Sequence, residues 1–245
     1  MTRSALVTGA SKGIGLGIAT RLASQGYGLT ITARDTERLA VVAEELTRAG
    51  SPDVVVSAGD MADENFAAAL VATHNERFGS MRALVLNAGV GTSGRVADYP
   101  MRRFDKTVAV NLRTPFALLQ ASLPLLRTAA DADLAGGAKV IALASMAGVY
   151  AESGLAVYGA TKAALISMVE ALNAEESGNG VSATAIAPGY VDTDMSAWTH
   201  DRITPDTMIK VDDIVELVDG LLKLSSRAVV PKVVMARAGT NGYSA

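Results

Sequence analysis

Short apolar runs rich in Val, Ile and Leu alternate along the chain with longer stretches whose apolar residues recur every three or four positions. The first pattern fits a strand buried on both faces, and the second an amphipathic helix. Ala5-Leu6-Val7-Thr8 reads as a first strand, followed by a Gly-rich turn and a helix over about 14–24. A second strand is predicted over 28–33. A helix over 36–48 carries Leu39, Val42, Ala43 and Leu46 at helical spacing, and Gly50-Ser51-Pro52 closes it. The same reading predicts a strand over 53–58, a helix over 63–78 and a strand over 82–86. One long helix follows over 101–126, with a bend near Pro115 or Pro124, where proline removes a backbone donor. Strands over 138–144, 181–187 and 229–236 then enclose helices over 157–176 and 212–224.

This alternation argues for an α/β fold: a doubly wound parallel sheet of seven strands, covered by helices on both faces as a three-layer Rossmann fold. No linker, charge block or repeat divides the chain, so residues 1–245 read as a single domain. The one long segment without a pattern is 188–211. A segment of that kind, leaving the C-terminal end of a strand, tends to carry function, and its core, about 190–210, is the expected substrate loop.

Composition narrows the chemistry. The 245 residues hold 22 Lys and Arg against 25 Asp and Glu, a net charge of −3 with no basic stripe, which argues against nucleic-acid binding. There is no cysteine, so disulfides, thiolate metal sites and a cysteine nucleophile are excluded. The two histidines, His74 and His200, lie far apart and form neither a zinc site nor part of a triad; His200 is expected to face solvent. No metal is expected. The N-terminus lacks a secretory pattern and no apolar stretch is long enough to span a membrane, so a cytoplasmic protein without a membrane partner is expected.

Thr8-Gly9-Ala10-Ser11-Lys12-Gly13-Ile14-Gly15 lies between the first strand and the first helix. Gly9 permits a sharp exit from the strand. Gly13 and Gly15 leave room for backbone to approach a pyrophosphate, and the helix points its free N–H groups at it. After the second strand, Thr32-Ala33-Arg34-Asp35 offers two readings of the adenosine ribose. Asp35, 20 residues after Gly15, suggests a free 2′-hydroxyl and NAD, or simply a helix cap. Arg34 suggests a 2′-phosphate and NADP, gripped by the planar guanidinium.

Tyr158-Gly159-Ala160-Thr161-Lys162 places a phenol and an ammonium four residues apart on one helical face. A neighbouring ammonium favours phenolate, so Tyr158 is expected to titrate below its ordinary value of about 10 and exchange a proton near neutral pH. Ser145 lies 13 residues earlier, at the end of the fifth strand.

Taken together, these motifs resemble the short-chain dehydrogenase/reductase family over nearly the whole chain. The glycine spacing is Gly-x-x-x-Gly-x-Gly, and Asn87-Ala88-Gly89 is similar to the family's Asn-Asn-Ala-Gly, with Leu86 in place of the first Asn. The resemblance implies a catalytic set of Asn111, Ser145, Tyr158 and Lys162. Ser145 would hold and polarise the substrate oxygen, Tyr158 would act as general acid or base, and Lys162 would tune Tyr158 and bind the nicotinamide ribose. Asn111 would kink its helix and anchor a proton-relay water. It also implies that Gly9, Ser11, Lys12, Gly13, Ile14 and Gly15 hold the pyrophosphate side, and that Asp60 and Met61 hold the adenine. Asn87, Ala88 and Gly89 would meet the ribose, while Pro188, Gly189, Val191 and Thr193 seat the nicotinamide. The carboxylate of NAD-preferring members falls on Ala33, and Arg34 with Lys12 matches NADP-preferring ones, so NADP(H) is the expected cofactor.

The expected reaction interconverts a ketone or aldehyde and an alcohol by hydride transfer. Substrate contacts are expected from Val149, Tyr150, Leu155, Met195 and Trp198, joined by Val90 and Met208, with Glu152 and His200 as polar neighbours. That mixture favours a small-molecule carbonyl or alcohol with apolar bulk. The end of the chain lacks the Asp-Gly-Gly of many acyl-carrier-protein reductases, which argues against fatty-acid synthesis. The resemblance also implies a homo-oligomer, tetramer or dimer. The competing readings are a cofactor-binding sensor or scaffold with little turnover, against which the catalytic set is intact, and an NAD-dependent alcohol or hydroxy-acid dehydrogenase.

Overall fold

The computed structural model describes residues 3–243. Among them, seven strands form one sheet: β1 (Ser4–Thr8), β2 (Gly28–Thr32), β3 (Val54–Val56), β4 (Ala83–Leu86), β5 (Ala138–Leu143), β6 (Val181–Pro188) and β7 (Lys232–Met235). They pair in the order β3-β2-β1-β4-β5-β6-β7. Every pairing is parallel, with Leu6 opposite Thr30 on one side and Leu84 on the other. This is the Rossmann-like α/β fold that the alternating pattern predicts.

Seven α-helices cover the sheet among the described residues: α1 (Gly13–Ser24), α2 (Thr36–Arg48), α3 (Phe66–Phe78), α4 (Met101–Val108), α5 (Thr114–Ala132), α6 (Ala156–Glu176) and α7 (Val211–Leu222). Successive strand residues point to opposite faces. Leu6, Leu84, Val140 and Ala183 meet Leu70, Leu118, Leu126, Leu165 and Val169 of α3, α5 and α6. Ala5, Val7, Val85, Ile141 and Ile186 meet Ile18, Leu22, Leu39, Val42, Ile214 and Val218 of α1, α2 and α7. Because both faces are covered, the strands read as continuous apolar runs and not as alternating ones. The chain order reverses between β1 and β4, and a crevice opens there at the strands' C-terminal ends.

The helix expected over 101–126 is differently built. It breaks into α4 and α5 at a π turn over Ala109–Arg113, and α5 continues to Ala132. Pro115 stands in the first turn of α5, directly after the π turn, where it withholds a backbone donor from the carbonyls of that turn, and Pro124 lies within the helix without breaking it. The π turn also surrounds Asn111, whose side chain is fully engaged outside its own helix. No described helix is long and apolar enough to cross a membrane.

His74 of α3 shows how the sheet handles a buried polar group. It is fully enclosed. Its Nε2 faces the Ser80 carbonyl at 3.0 Å and its Nδ1 faces Thr30 Oγ1 at 2.8 Å, one donor and one acceptor as a neutral imidazole requires. Burial pulls its pKa down to about 4. A base that binds protons less readily when folded contributes its full stability above pH 6.5 and loses it as pH falls toward 4. The loss is worth about 3 kcal/mol. The melting temperature is therefore expected to drop over that window, and less steeply in His74→Gln. Equal slopes in the two proteins would show that His74 is not the cause.

Candidate active site

The glycine turn is held by β4. Asn87 donates through Nδ2 to the carbonyls of Thr8 (2.9 Å) and Gly9 (3.1 Å). The Thr8 hydroxyl in turn accepts from the backbone N–H groups of Asn87 and Ala88. Gly9 adopts a left-handed φ of +67°. Gly15 packs so closely beneath the turn that an added Cβ would stand 2.3 Å from the Gly9 carbonyl oxygen. The first turn of α1 has no side-chain cap and no acidic residue. Its free N–H groups and the positive end of its dipole therefore face the crevice unopposed. An uncapped helix end behind a glycine-rich turn suits a pyrophosphate.

A groove of about 760 Å³ runs past this turn. Its wall takes in Gly9, Ser11, Lys12, Gly13 and Ile14, then Arg34 beyond β2 and Asp60 and Met61 beyond β3. Asn87, Ala88, Gly89 and Thr193 complete the predicted residues found there. Gly15 is buried below it and shapes the turn without lining the groove. Pro188, Gly189 and Val191 line the adjoining cavity.

Asp35 is the N-cap of α2, where its carboxylate accepts from the Arg38 backbone N–H at 2.9 Å. Asp35 thus serves as a cap through one oxygen, and both it and Arg34 stand on the groove wall. Sequence reading missed Arg38, which lines the same wall and reaches the Ser11 carbonyl at 3.3 Å and Glu45 at 3.4 Å. Its signal was a second cation one turn beyond Arg34. Lys12 is also engaged: its Nζ meets Asp194 at 2.7 Å, tying the glycine turn to the segment after β6. Both groups are largely exposed, so the tie is weak.

Adjoining the groove at Asn87, Gly89 and Thr193 lies a cavity of about 350 Å³, lined by Ser145, Tyr158 and Lys162. Ser145 ends the segment after β5 and caps a 3-10 turn over Met146–Gly148, accepting from Ala147 N–H at 3.2 Å. Helix α6 is seated directly on this turn. An added Cβ on Gly159 would meet the Ala147 carbonyl at 2.5 Å, and one on Gly148 would meet Lys162 backbone at 2.7 Å. These two glycines let α6 approach closely enough to bring Tyr158 beside Ser145, and no motif count had marked them.

Lys162 is buried, with Nζ 2.6 Å from the Leu143 carbonyl and 5.7 Å from the centre of the Tyr158 ring. Burial pulls its pKa down to about 8. The expectation for Tyr158 is overturned: burial pushes the phenol up, and the adjacent Ser145 hydroxyl only partly opposes it. Taking a phenolate out of water disfavours it, and the Lys162 ammonium is bonded to the Leu143 carbonyl and not to the phenol. Asn111 is buried, and its amide both accepts from Val90 N–H (2.9 Å) and donates to the Val90 carbonyl (3.0 Å). It also reaches Thr161 at 3.3 Å, so it links the π turn to α6 and stays outside the cavity lining.

The expected substrate residues divide. Leu155, Met195 and Trp198 line the cavity. Val149 packs against the core, and Tyr150 stacks edge-on against Tyr243 with ring centres 5.2 Å apart. Met208 is buried away from the cavity, and Val90 lines the groove instead. Gly91, Thr92, Ser93, Arg103 and Tyr190 are additional wall residues. His200 departs from the solvent-facing reading, since its Nε2 is enclosed without a partner. No described group of His, Cys, Asp or Glu is arranged to hold a metal.

The short chain dehydrogenase family matches residues 3–203. The chain belongs to that family. It is 33% identical over 205 residues to the 2-(R)-hydroxypropyl-CoM dehydrogenase of Xanthobacter autotrophicus, covering 82% of this chain and 80% of that protein. Among solved structures, an alcohol dehydrogenase from the archaeon Thermococcus sibiricus, complexed with 5-hydroxy-NADP, superposes with a TM-score of 0.87 at 28% identity. The overlap covers 100% of this chain and 99% of that one. A 3-oxoacyl-[acyl-carrier protein] reductase from Brucella melitensis, in complex with NAD, gives a TM-score of 0.86 at 27% identity over 96% and 95% of the two chains. These resemblances make the chain an oxidoreductase of the short-chain dehydrogenase family.

Proposed function

We propose that the protein interconverts a ketone or aldehyde and the corresponding alcohol with NADP(H), using Tyr158 as general acid or base. The observation that carries this reading is the meeting of Ser145, Tyr158 and Lys162 in one cavity that opens onto the phosphate-binding groove. When bound, the nicotinamide supplies or accepts the hydride. Ser145 donates a hydrogen bond to the substrate oxygen and steadies its negative charge. In reduction, the Tyr158 hydroxyl hands its proton to that oxygen. Its raised pKa suits this direction, because the proton to be given is present at neutral pH. Lys162 then faces the phenolate, and Asn111 holds α6 and the segment after β4 together around it. Val191 and Thr193 close the nicotinamide end.

Three features support NADP over NAD. Arg34 lines the groove, Arg38 stands on the same wall, and the competing carboxylate of Asp35 is occupied as a cap. The alcohol dehydrogenase neighbour complexed with 5-hydroxy-NADP agrees, while the NAD-bound reductase makes the choice worth measuring. Dissociation constants for NADPH and NADH decide it. NADPH is expected to bind about 10–100-fold more tightly, the range of a hydrogen-bonded charge pair, and Arg34→Ala to remove most of that preference. Equal binding of the two cofactors by the wild type would overturn the assignment and return Asp35 to the ribose. We place the protein in the cytoplasm as a homo-oligomer; exposed Met101, Phe104 and Phe116 on α4 and α5 support contact with a second copy.

A further inference from the structure

One wall of the active-site cavity carries a carboxylate that the proposed chemistry does not use. Glu152 lines the cavity together with Tyr190 and Trp198. Its Oε1 accepts a hydrogen bond from the Tyr190 hydroxyl at 3.0 Å. Its Oε2 is enclosed and has no partner. No Lys or Arg forms an ion pair with it among the described residues. Of the cations nearby, Arg202 lies over Trp198 at 5.5 Å and Arg103, on the same cavity, lies over Tyr99 at 5.6 Å, while Arg237 acts through its charge on Tyr190 without an ion pair to Glu152. A carboxylate oxygen withdrawn from water without a donor loses its solvation for nothing in return. Leu143, Leu155, Met195 and Trp198 contribute apolar surface to the same cavity.

We propose that Glu152 is a specificity-determining residue: the substrate is a ketone or secondary alcohol with an apolar body that also carries a hydrogen-bond donor, a hydroxyl or an ammonium, received by the free oxygen of Glu152. This rests on the reading of the cavity as the carbonyl site. Tyr190 bonds one oxygen and the other is enclosed without a donor, so a turn of the carboxylate about its last bond is what presents the unpartnered oxygen to the ligand. The donor and the reacting carbonyl would thus be gripped at two points, Glu152 at one and Ser145 with Tyr158 at the other.

The test uses matched 2-ketones of several chain lengths, ending in methyl, hydroxyl, ammonium or carboxylate. Two quantities are read: kcat/KM with NADPH, and binding in the presence of NADP+ by the fluorescence of Trp198, the chain's one tryptophan. At a suitable length, the hydroxyl or ammonium ketone is expected to beat its methyl partner by about tenfold or more, as a hydrogen bond to a charged acceptor supports. Glu152→Leu is expected to erase that ratio. Glu152→Gln, which keeps the shape, should retain the hydroxyl preference and lose the ammonium one. If Glu152→Leu does not fold, Glu152→Gln and Tyr190→Phe carry the test. Methyl ketones preferred at every length, or a donor preference that survives in Glu152→Leu, would overturn the proposal. A preference for the carboxylate ketones would also overturn it and point to Arg103. Turnover without donor preference sinks this inference and leaves the oxidoreductase reading standing. Donor-selective binding without turnover of any ketone does the reverse.

Discussion

Tyr158→Phe is expected to lower turnover of any accepted ketone by about 10²–10⁴-fold, the usual contribution of a positioned general acid. Phenylalanine keeps the ring and its packing on α6 but removes the phenol proton placed beside the Ser145 hydroxyl. NADPH binding should weaken far less, because the glycine turn and Arg34 lie at the other end of the groove. The pH dependence adds a second check. The phenol is pushed up by burial, so it keeps its proton through neutrality. Lys162, drawn down to about 8, loses its charge first, and the phenolate left after proton transfer then has no ammonium facing it. Reduction should therefore decline as pH rises through about 8. A variant retaining more than a tenth of wild-type turnover would remove Tyr158 from the mechanism. A decline centred near pH 6 in the wild type would contradict the order of the two titrations.

Gly15→Ala should be the most damaging single methyl in the cofactor site. The new carbon would stand 2.3 Å from the Gly9 carbonyl oxygen and 2.4 Å from Asn87 Nδ2. One neighbour is backbone, and the other is pinned by two hydrogen bonds to that same backbone. Neither can rotate away, so the turn itself must move. Overpacking of this kind costs about 1–3 kcal/mol of stability. Displacing the turn also misaims the backbone N–H groups proposed to hold the pyrophosphate. The loss of one such charge-assisted bond weakens NADPH binding about 10–100-fold. Thermal melting and NADPH titration read the two effects separately. Wild-type values for both would mean that the turn is looser than its contacts indicate. The exposed Gly178, where an added Cβ meets nothing within 4 Å and the backbone is not left-handed, makes a control for a glycine substitution outside the site.

Much of this protein was readable along the chain. The helix over Thr36–Arg48 was predicted to the residue, and every strand lies within or beside its predicted run. These features are local: a helix or a buried strand declares itself by the spacing of its own apolar residues. The glycine turn was legible for the same reason, as was the four-residue spacing that puts Tyr158 and Lys162 on one face. Asp35 could be read as a cap because a cap needs only the next turn of its own helix.

What the sequence alone left undecided depends on residues far apart meeting. The break at Asn111 comes with hydrogen bonds to Val90, 21 residues away, which a proline near the break could not announce. Lys12 looked like a free cation until the fold brought Asp194 to it. Val149 and Tyr150 are close to Ser145 in sequence yet turn toward the core and Tyr243. The direction of the Tyr158 titration shows the division most clearly. Sequence spacing establishes that an ammonium is near the phenol, and proximity alone favours phenolate. Only the packed structure determines how much water the phenol has lost and that the ammonium is drawn to the Leu143 carbonyl. Periodicity and spacing are properties of neighbours in the chain, whereas desolvation is set by every atom that closes over a group.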